Sequence, residues 1–143
     1  MLEPDHMTPI PVPTLLTKPF WEACRQHRLI IQRCDLCKRL RFYPSSCCVY
    51  CSSADYSWKQ VSGRGKVYTW IVTWRTVDSR WKKKTPFVTA VVEMDEQDGV
   101  LIPGLLTEIS PDDVKAGMAV EVWFEDANPD ISLPRWRPVE ASS

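Results

Sequence analysis

Four cysteines in two Cys-x-x-Cys pairs constrain this chain more than any other feature of its sequence. Cys34 and Cys37 form the first pair, Cys48 and Cys51 form the second, and ten residues separate the pairs. Each pair can turn tightly around a shared ion, so that together they supply four thiolates in a tetrahedron. Zinc prefers this ligand set, and the intervening segment is long enough for a hairpin that returns the chain. The spacing therefore predicts a zinc-binding ribbon.

Two other uses of these cysteines fit the same spacing. Iron accepts four thiolates as in rubredoxin, and disulfides would need an oxidising compartment, for which the N-terminus shows no secretory signal. Cys47 competes with Cys48 as a ligand, but only Cys48 has the two-residue spacing to Cys51. Cys24 lies too far upstream and is interpreted as a small buried apolar residue. A closed four-thiolate site has no open coordination position, so it is expected to stabilise the fold rather than catalyse a reaction.

Length and charge narrow the range of functions. The chain has 143 residues with 18 basic and 18 acidic side chains, so no net charge draws it to nucleic acid or to an anionic membrane. No apolar run reaches the roughly 20 residues that span a bilayer. The missing targeting signal and the thiol-rich pairs together predict a cytoplasmic, reducing setting. Seven tryptophans in a chain of this size indicate that some of them face a partner or a ligand.

The distribution of prolines and apolar residues divides the chain into three parts. We predict an extended proline-rich arm, a short helix with the zinc ribbon, and a β-domain, over residues 1–18, 19–56 and 57–143. Prolines at positions 4, 9, 11 and 13, followed by Pro19 at its end, forbid a continuous helix through the arm. The helix that follows starts at Pro19 and places Phe20 and Cys24 on one face.

After residue 57 the apolar residues alternate with period two, as they do in β-strands. Strands are predicted at 67–74, 87–94, 99–107 and 118–125 and around Trp136, with a short helix at 110–117. Tyr68, Trp70, Val72 and Trp74 are expected to share one face of the first of these strands. Five strands with a helix between the third and fourth are the order of an OB-fold. The predicted fold class is therefore mainly β: an N-terminal helix and zinc ribbon followed by a five-stranded OB-fold barrel.

A series of motifs resembles the family labelled domain of unknown function thirty-five, or DUF35. The motifs, in order, are PFWEACRQHRLIIQRCDLC, YPSSCCVYC, VSGRGKVYTW, PFVTAVVEM and GMAVEVWF, and together they cover about residues 18–138. The resemblance implies a rubredoxin-like zinc ribbon followed by an OB-fold, with Cys34, Cys37, Cys48 and Cys51 as the metal ligands. Gly63 and Gly65 match the glycines at the entry to the barrel. Lys38 and Ser52 stand where a glycine is common, which is expected to weaken slightly the backbone N–H bonds to sulfur.

The same resemblance implies an accessory subunit, non-catalytic or co-catalytic, in acyl-CoA metabolism. Members of the family associate with thiolase-like proteins, with aldolases of steroid side-chain degradation or with hotdog-fold hydratases, and one belongs to a thiolase of the benzylsuccinate pathway. We therefore expect structural Zn²⁺, a coenzyme A thioester as the ligand of the complex, and a thiolase-like catalytic partner in a heterotetramer or larger assembly. A retro-aldolase or hydratase partner is the alternative, and the tryptophan content makes an aromatic acyl group attractive.

The loop between the first two barrel strands is the expected contact with coenzyme A, because in OB-folds this loop lies at the binding face. The residues assigned to the contact are Arg80, Trp81, Lys82, Lys83 and Lys84. Their cations suit the phosphates of the ligand, and the indole offers a stacking surface for adenine or for a partner. The plain alternative is a solvated hairpin tip.

Two further functions fit the sequence less well. Zinc ribbons and OB-folds also bind single-stranded nucleic acid, but zero net charge and the acidic residues Glu121, Glu125 and Asp126 oppose that interpretation. An enzyme acting alone would need a nucleophile or an acid–base pair, and the motifs that supply one are missing. The two histidines, His27 and His6, stand in unfavourable contexts. The chain is therefore predicted not to be catalytic alone.

Overall fold

The structure is a computed structural model that describes residues 10–78 and 84–139. The helix α1 covers Lys18–Arg25. The strands β1 to β8 cover Ile30–Cys34, Leu40–Arg41, Tyr56–Gln60, Arg64–Thr73, Phe87–Met94, Leu101–Leu106, Ala119–Asp126 and Ser132–Pro138. No helix within the described ranges has the length and apolar character that crossing a bilayer requires.

The first part of the described chain is a helix packed on a small sheet. Pro19 lies in the first turn of α1. The helix buries Phe20 and Cys24, as their spacing predicts, and also Ala23. Strand β1 is central in the sheet and pairs antiparallel with both β2 and β3. Burial raises the pKa of the Cys24 thiol to about 12, and the side chain is fully buried, so its predicted role as a core residue is confirmed.

The second part is a closed barrel in the strand order β4-β5-β6-β8-β7, with β7 pairing back to β4. This is the five-stranded OB-fold that the strand pattern predicts, and the mainly β fold class is confirmed. The helix predicted at 110–117 is shorter than expected, because only a 3-10 turn forms at Pro111–Asp113. Val114 adopts extended backbone angles and is buried in the core, which ends the helical turn after three residues.

Strand β4 departs from the predicted alternation. Its pairing with β5 shifts register between Val67 and Thr69, so that Tyr68 lies at a bulge and is 58% exposed. Trp70 and Val72 share one face and pack against the core. Trp74 follows the end of the strand and is 62% exposed. The prediction that all four aromatic and apolar residues share one face is therefore wrong, because the sequence alternation gives no sign of the bulge.

The helix, the ribbon sheet and the barrel share one hydrophobic core. From the first part it contains Phe20, Cys24, Leu29, Ile31 and Leu40. From the barrel it contains Val67, Val88, Ala90, Val92, Met94, Ile102, Leu106, Val120 and Trp136, among others. Because these side chains are in continuous contact, the stability of the ribbon and that of the barrel are coupled.

Candidate metal centre and outer surface of the barrel

The two cysteine pairs meet beyond one end of the ribbon sheet. The sulfurs of Cys34, Cys37, Cys48 and Cys51 all lie within 4.8 Å of one another. The Sγ atoms of Cys34 and Cys51 are 3.5 Å apart, and those of Cys37 and Cys48 are 3.7 Å apart. A tetrahedron with Zn–S bonds of about 2.3 Å places its sulfurs about 3.8 Å apart, whereas disulfide-bonded sulfurs are about 2.05 Å apart. The donor atoms and their spacing therefore fit a tetrahedral zinc ion.

The two turns that carry the cysteines repeat one backbone pattern. The amide of Lys38 donates to the carbonyl of Cys34 at 3.0 Å, and the amide of Ser52 donates to that of Cys48 at 2.9 Å. Lys38 and Ser52 both have a φ of 68°, in the left-handed region that glycine adopts without strain. At these two positions the chain lacks the glycine that is common in the family it resembles. Each non-glycine residue costs roughly 1 kcal/mol of backbone strain. The left-handed backbone also explains why glycine is preferred at these two positions.

Backbone amides point at the sulfurs in both turns. The amide of Cys37 donates to Sγ of Cys34 at 3.5 Å, and that of Tyr50 donates to Sγ of Cys48 at 3.4 Å. The bond from Cys37 is the main cause that lowers the pKa of Cys34 to about 6. Burial opposes ionisation of Cys48, but the amides of Tyr50 and Cys51 outweigh it and lower its pKa. Both turns therefore favour thiolates, the form that binds a metal.

The surroundings of the fourth sulfur, that of Cys51, indicate why a cation is needed at the centre of the cluster. The amide of Ser53 acts to lower the pKa of Cys51, but burial and the thiols of Cys34, Cys48 and Cys37 outweigh it and raise that pKa to about 11. Four neighbouring thiolates repel one another, and a divalent cation at their centre offsets that repulsion. Of the two adjacent cysteines, Cys48 is buried and belongs to the sulfur cluster. Cys47 is exposed and lies outside it.

The loop assigned to coenzyme A lies largely outside the described residues. Arg80, Trp81, Lys82 and Lys83 fall in the gap between 78 and 84. Lys84 is described, is exposed and lies three residues before β5. The loop therefore connects β4 to β5, the first two strands of the barrel, and its contact with coenzyme A stays a prediction.

Sequence reasoning missed a polar cluster that joins the end of the helix segment to the barrel. Nε2 of His27 lies 2.8 Å from Oδ1 of Asp126, and Oγ of Ser132 donates to the same oxygen at 2.5 Å. The bond from His27 is the main cause that lowers the pKa of Asp126, followed by that from Ser132. His27 and Asp126 are 99 residues apart, so no local spacing could reveal the pair. The serine bonds the aspartate rather than the histidine, which is not the arrangement that activates a nucleophile.

The outer surface of the barrel has an uncharged side. The strand register places Thr69, Val91 and Pro103 in one row and Ile71, Thr89 and Leu105 in the next. Thr73 and Phe87 form a third, shorter row. These eight residues, which we call the uncharged barrel face, carry no ionisable group, and Ile71 is 66% exposed.

The opposite side of the barrel is covered by ion pairs between β7 and β8. Arg137 bonds Glu121 at 3.0 Å, and Arg135 bonds Glu125 at 3.1 Å. Arg64 on β4 lies 3.7 Å from Glu121. The acidic residues Glu121 and Glu125, which argue against nucleic acid, are thus paired within the chain.

Family models match most of the described chain. The model described as the ChsH2 rubredoxin-like zinc ribbon domain matches residues 21–57, and the one described as the ChsH2 C-terminal OB-fold domain matches residues 58–125. These matches agree with the sheet order and with the grouping of the four cysteines.

Curated relatives include proteins of different lengths. The chain is 39% identical over 120 residues to a probable enoyl-CoA hydratase alpha subunit of Thermomonospora curvata, covering 83% of this chain and 36% of that relative. It is 33% identical over 112 residues to a DUF35 domain-containing scaffold protein of Methanocaldococcus jannaschii, covering 77% of each chain. The chain thus spans about a third of the first relative and most of the second.

Two solved structures share the fold. A chain of the Ltp2-ChsH2(DUF35) aldolase is 36% identical and superposes with a TM-score of 0.79, covering 90% of this chain and 98% of that one. A DUF35 protein of unknown function from Sulfolobus solfataricus is 13% identical with a TM-score of 0.62, covering 87% of this chain and 86% of that one. At that identity the second likeness concerns the fold alone.

Proposed function

This chain belongs to the DUF35 family, and on that basis we propose that it is a zinc-containing accessory subunit of an acyl-CoA-processing complex. The observation that carries the proposal is its likeness to a chain of the Ltp2-ChsH2(DUF35) aldolase, at 36% identity and over 98% of that chain. The likeness to a probable enoyl-CoA hydratase alpha subunit supports the same class of substrate. A cytoplasmic, reducing setting suits the four thiolates on which the ribbon depends.

In the proposed complex, the catalytic groups belong to a thiolase-like partner. Within the described residues of this chain, the one histidine bonds a carboxylate, and the cysteine thiols outside the cluster are those of buried Cys24 and exposed Cys47. The accessory subunit would hold the partner's loops and one side of the coenzyme A channel. A retro-aldolase or hydratase partner is the alternative, an aromatic acyl group is one candidate substrate, and a heterotetramer is the smallest assembly we expect.

The four cysteines would hold the zinc ion as a structural metal. They are the donors that zinc prefers, and all four positions of the tetrahedron are taken by protein sulfur. When bound, the ion fixes the two turns relative to each other and supplies no reactive water. The ribbon would thereby present α1 and the barrel to the partner in one fixed arrangement.

A protein partner suits the barrel surface better than a nucleic acid does. OB-folds bind single strands on the face of their second and third strands, with aromatic platforms and basic grooves. Here those strands are β5 and β6, and their part of the uncharged barrel face has no basic side chain. An uncharged surface with exposed Ile71 at its edge favours burial against another protein.

Affinity purification of the full chain from its native cells tests the proposal. We expect a stoichiometric thiolase-like or related acyl-CoA enzyme and about one zinc per chain, measured by native mass spectrometry and metal analysis. A variant with Ile71→Glu places a charge on the uncharged barrel face and should lose the partner, whereas Lys115→Glu on an exposed turn should keep it. A chain that runs alone and retains nucleic acid would refute the accessory role.

The basic loop supports a second prediction, on coenzyme A. Changing Lys82, Lys83 and Lys84 together to alanine should raise the KM for acyl-CoA roughly tenfold, because three phosphate-directed cations are lost. The assembled complex and its kcat should be unchanged. The control changes two exposed lysines elsewhere, Lys59 and Lys115, to alanine. Unchanged kinetics in the loop variant would show that this loop is only a solvated tip.

A further inference from the structure

A buried arginine in the ribbon has no carboxylate partner in the part of the chain that the structure describes. Arg41 on β2 is 7% exposed, and its Nε donates to Oε1 of Gln32 at 2.8 Å. Its Nη2 donates to the carbonyl of Ser45 at 3.1 Å, and its guanidinium lies 5.2 Å from the ring centre of Tyr56. Every ion pair found among residues 10–78 and 84–139 involves other side chains. The contacts described for the guanidinium are therefore with uncharged groups, Gln32, Ser45 and Tyr56.

The same cluster contains two unused hydrogen-bond donors. Nη1 of Arg41 and Nε2 of Gln32 are both buried and have no hydrogen-bond partner among the described residues. Gln32 is 1% exposed, and its Oε1 already accepts from Arg41 and from the amide of Ser45. A buried charge is costly unless an opposite charge or a full set of hydrogen bonds offsets it. The cluster therefore calls for negative charge in its surroundings.

The contacts of Arg41 lie next to metal-ligand positions on both sides of the ribbon. Gln32 precedes Cys34 by two residues in β1, and Tyr56 pairs with Cys34 across β1 and β3. Ser45 extends towards the second turn, where its hydroxyl donates to the carbonyl of Cys47 at 3.0 Å, one residue before Cys48. One guanidinium thus links the segments that lead into both cysteine turns.

We propose that Arg41 is the internal counter-cation of the four-thiolate centre, positioned by Gln32. The inference rests on the proposed zinc site, since four thiolates around one divalent ion carry two excess negative charges. A fixed buried cation in the ribbon stabilises this negative charge. The fork of the guanidinium lets one side chain hold this charge and bridge Gln32 and Ser45 at the same time.

Zinc transfer to a chromogenic chelator measures the effect in the full chain. Arg41→Gln should release zinc roughly tenfold faster than the unchanged chain, and Arg41→Lys, which keeps the charge, should stay within roughly threefold. The matched control is Arg39→Gln, which removes an exposed cation that stacks 4.3 Å from the ring centre of Tyr50 near the second turn. Its effect should be small and should vanish at high salt, whereas the effect at the buried site should persist.

The reduction potential of the iron-substituted ribbon gives a readout that a purely structural role would not move. The four thiolates also accept iron, and the reduced site carries one more negative charge than the oxidised site. Loss of the nearby cation should therefore make the potential of Arg41→Gln more negative, while those of Arg41→Lys and Arg39→Gln stay close to that of the unchanged chain.

Each outcome of these measurements decides the inference. If Arg41→Gln fails to hold metal while Arg41→Lys holds it, the charge is required and the proposal stands. If both variants fail, or if both release metal at the unchanged rate with an unchanged potential, Arg41 is not the counter-cation. An unchanged chain that binds no metal would instead refute the zinc site itself, which separates this inference from the proposed function.

Discussion

A chain carrying Cys48→Ser is expected to lose its zinc and the order of its ribbon, whereas Cys47→Ser should leave both intact. The Sγ of Cys48 lies 3.7 Å from that of Cys37 and accepts the amide of Tyr50, so no neighbouring sulfur can replace it without rebuilding the turn. Cys47 is exposed and lies outside the cluster. Metal analysis of the two purified variants should give near zero and about one zinc per chain, respectively.

The loss should also lower the stability of the barrel. Zinc binding contributes on the order of 10 kcal/mol to folding in small zinc domains, and the ribbon residues Leu29, Ile31 and Leu40 belong to the same core as the barrel. Thermal unfolding of Cys48→Ser should therefore start at a much lower temperature than that of Cys47→Ser. If Cys48→Ser retained zinc and Cys47→Ser lost it, Cys47 and not Cys48 would be the metal ligand.

The elements predicted with most success are those whose causes are local. The two cysteine pairs, the helix opened by Pro19 and the alternating barrel strands each follow from neighbouring residues, and the structure contains all of them. The left-handed backbone at Lys38 and Ser52 explains why glycine is common at these two positions. Local chemistry therefore determined the fold class and the grouping of the sulfurs.

What the sequence did not reveal depends on contacts between distant residues. Strand β3 has the mixed composition YSWKQ and forms because β1 offers it a partner, as the pairing of Tyr56 with Cys34 shows. The pair of His27 and Asp126 needs the helix segment to reach the barrel. The bulge at Tyr68 arises from how β4 pairs with β5, which residue alternation does not encode. The donors of Arg41 and Gln32 that lack a hydrogen-bond partner among the described residues likewise follow from burial, which the sequence does not give.

Gly65→Ala is expected to destabilise the barrel by about 3 kcal/mol, at the upper end of what overpacking costs. Gly65 lies in β4 between two partners, opposite Met94 of β5 and Val120 of β7, at the point where the barrel closes. A Cβ built at this position would lie 2.4 Å from the carbonyl oxygen of Glu93 and 2.7 Å from Cγ1 of Val92. Since the first of these atoms is backbone, no change of rotamer relieves the clash, and the strands must separate.

Denaturant and thermal unfolding of Gly65→Ala and Gly99→Ala separate this packing effect from backbone strain. Gly99 has a φ of +84°, and no atom of residues 10–78 or 84–139 lies within 4 Å of a built Cβ, so its substitution costs only left-handed strain, roughly 1 kcal/mol. Gly65→Ala should therefore lower the melting temperature by roughly 10 °C, about three times the shift of Gly99→Ala. If the two variants lowered the melting temperature equally, β4 and β5 would separate easily at Gly65. The close approach of the two strands at the entry to the barrel would then not require a glycine.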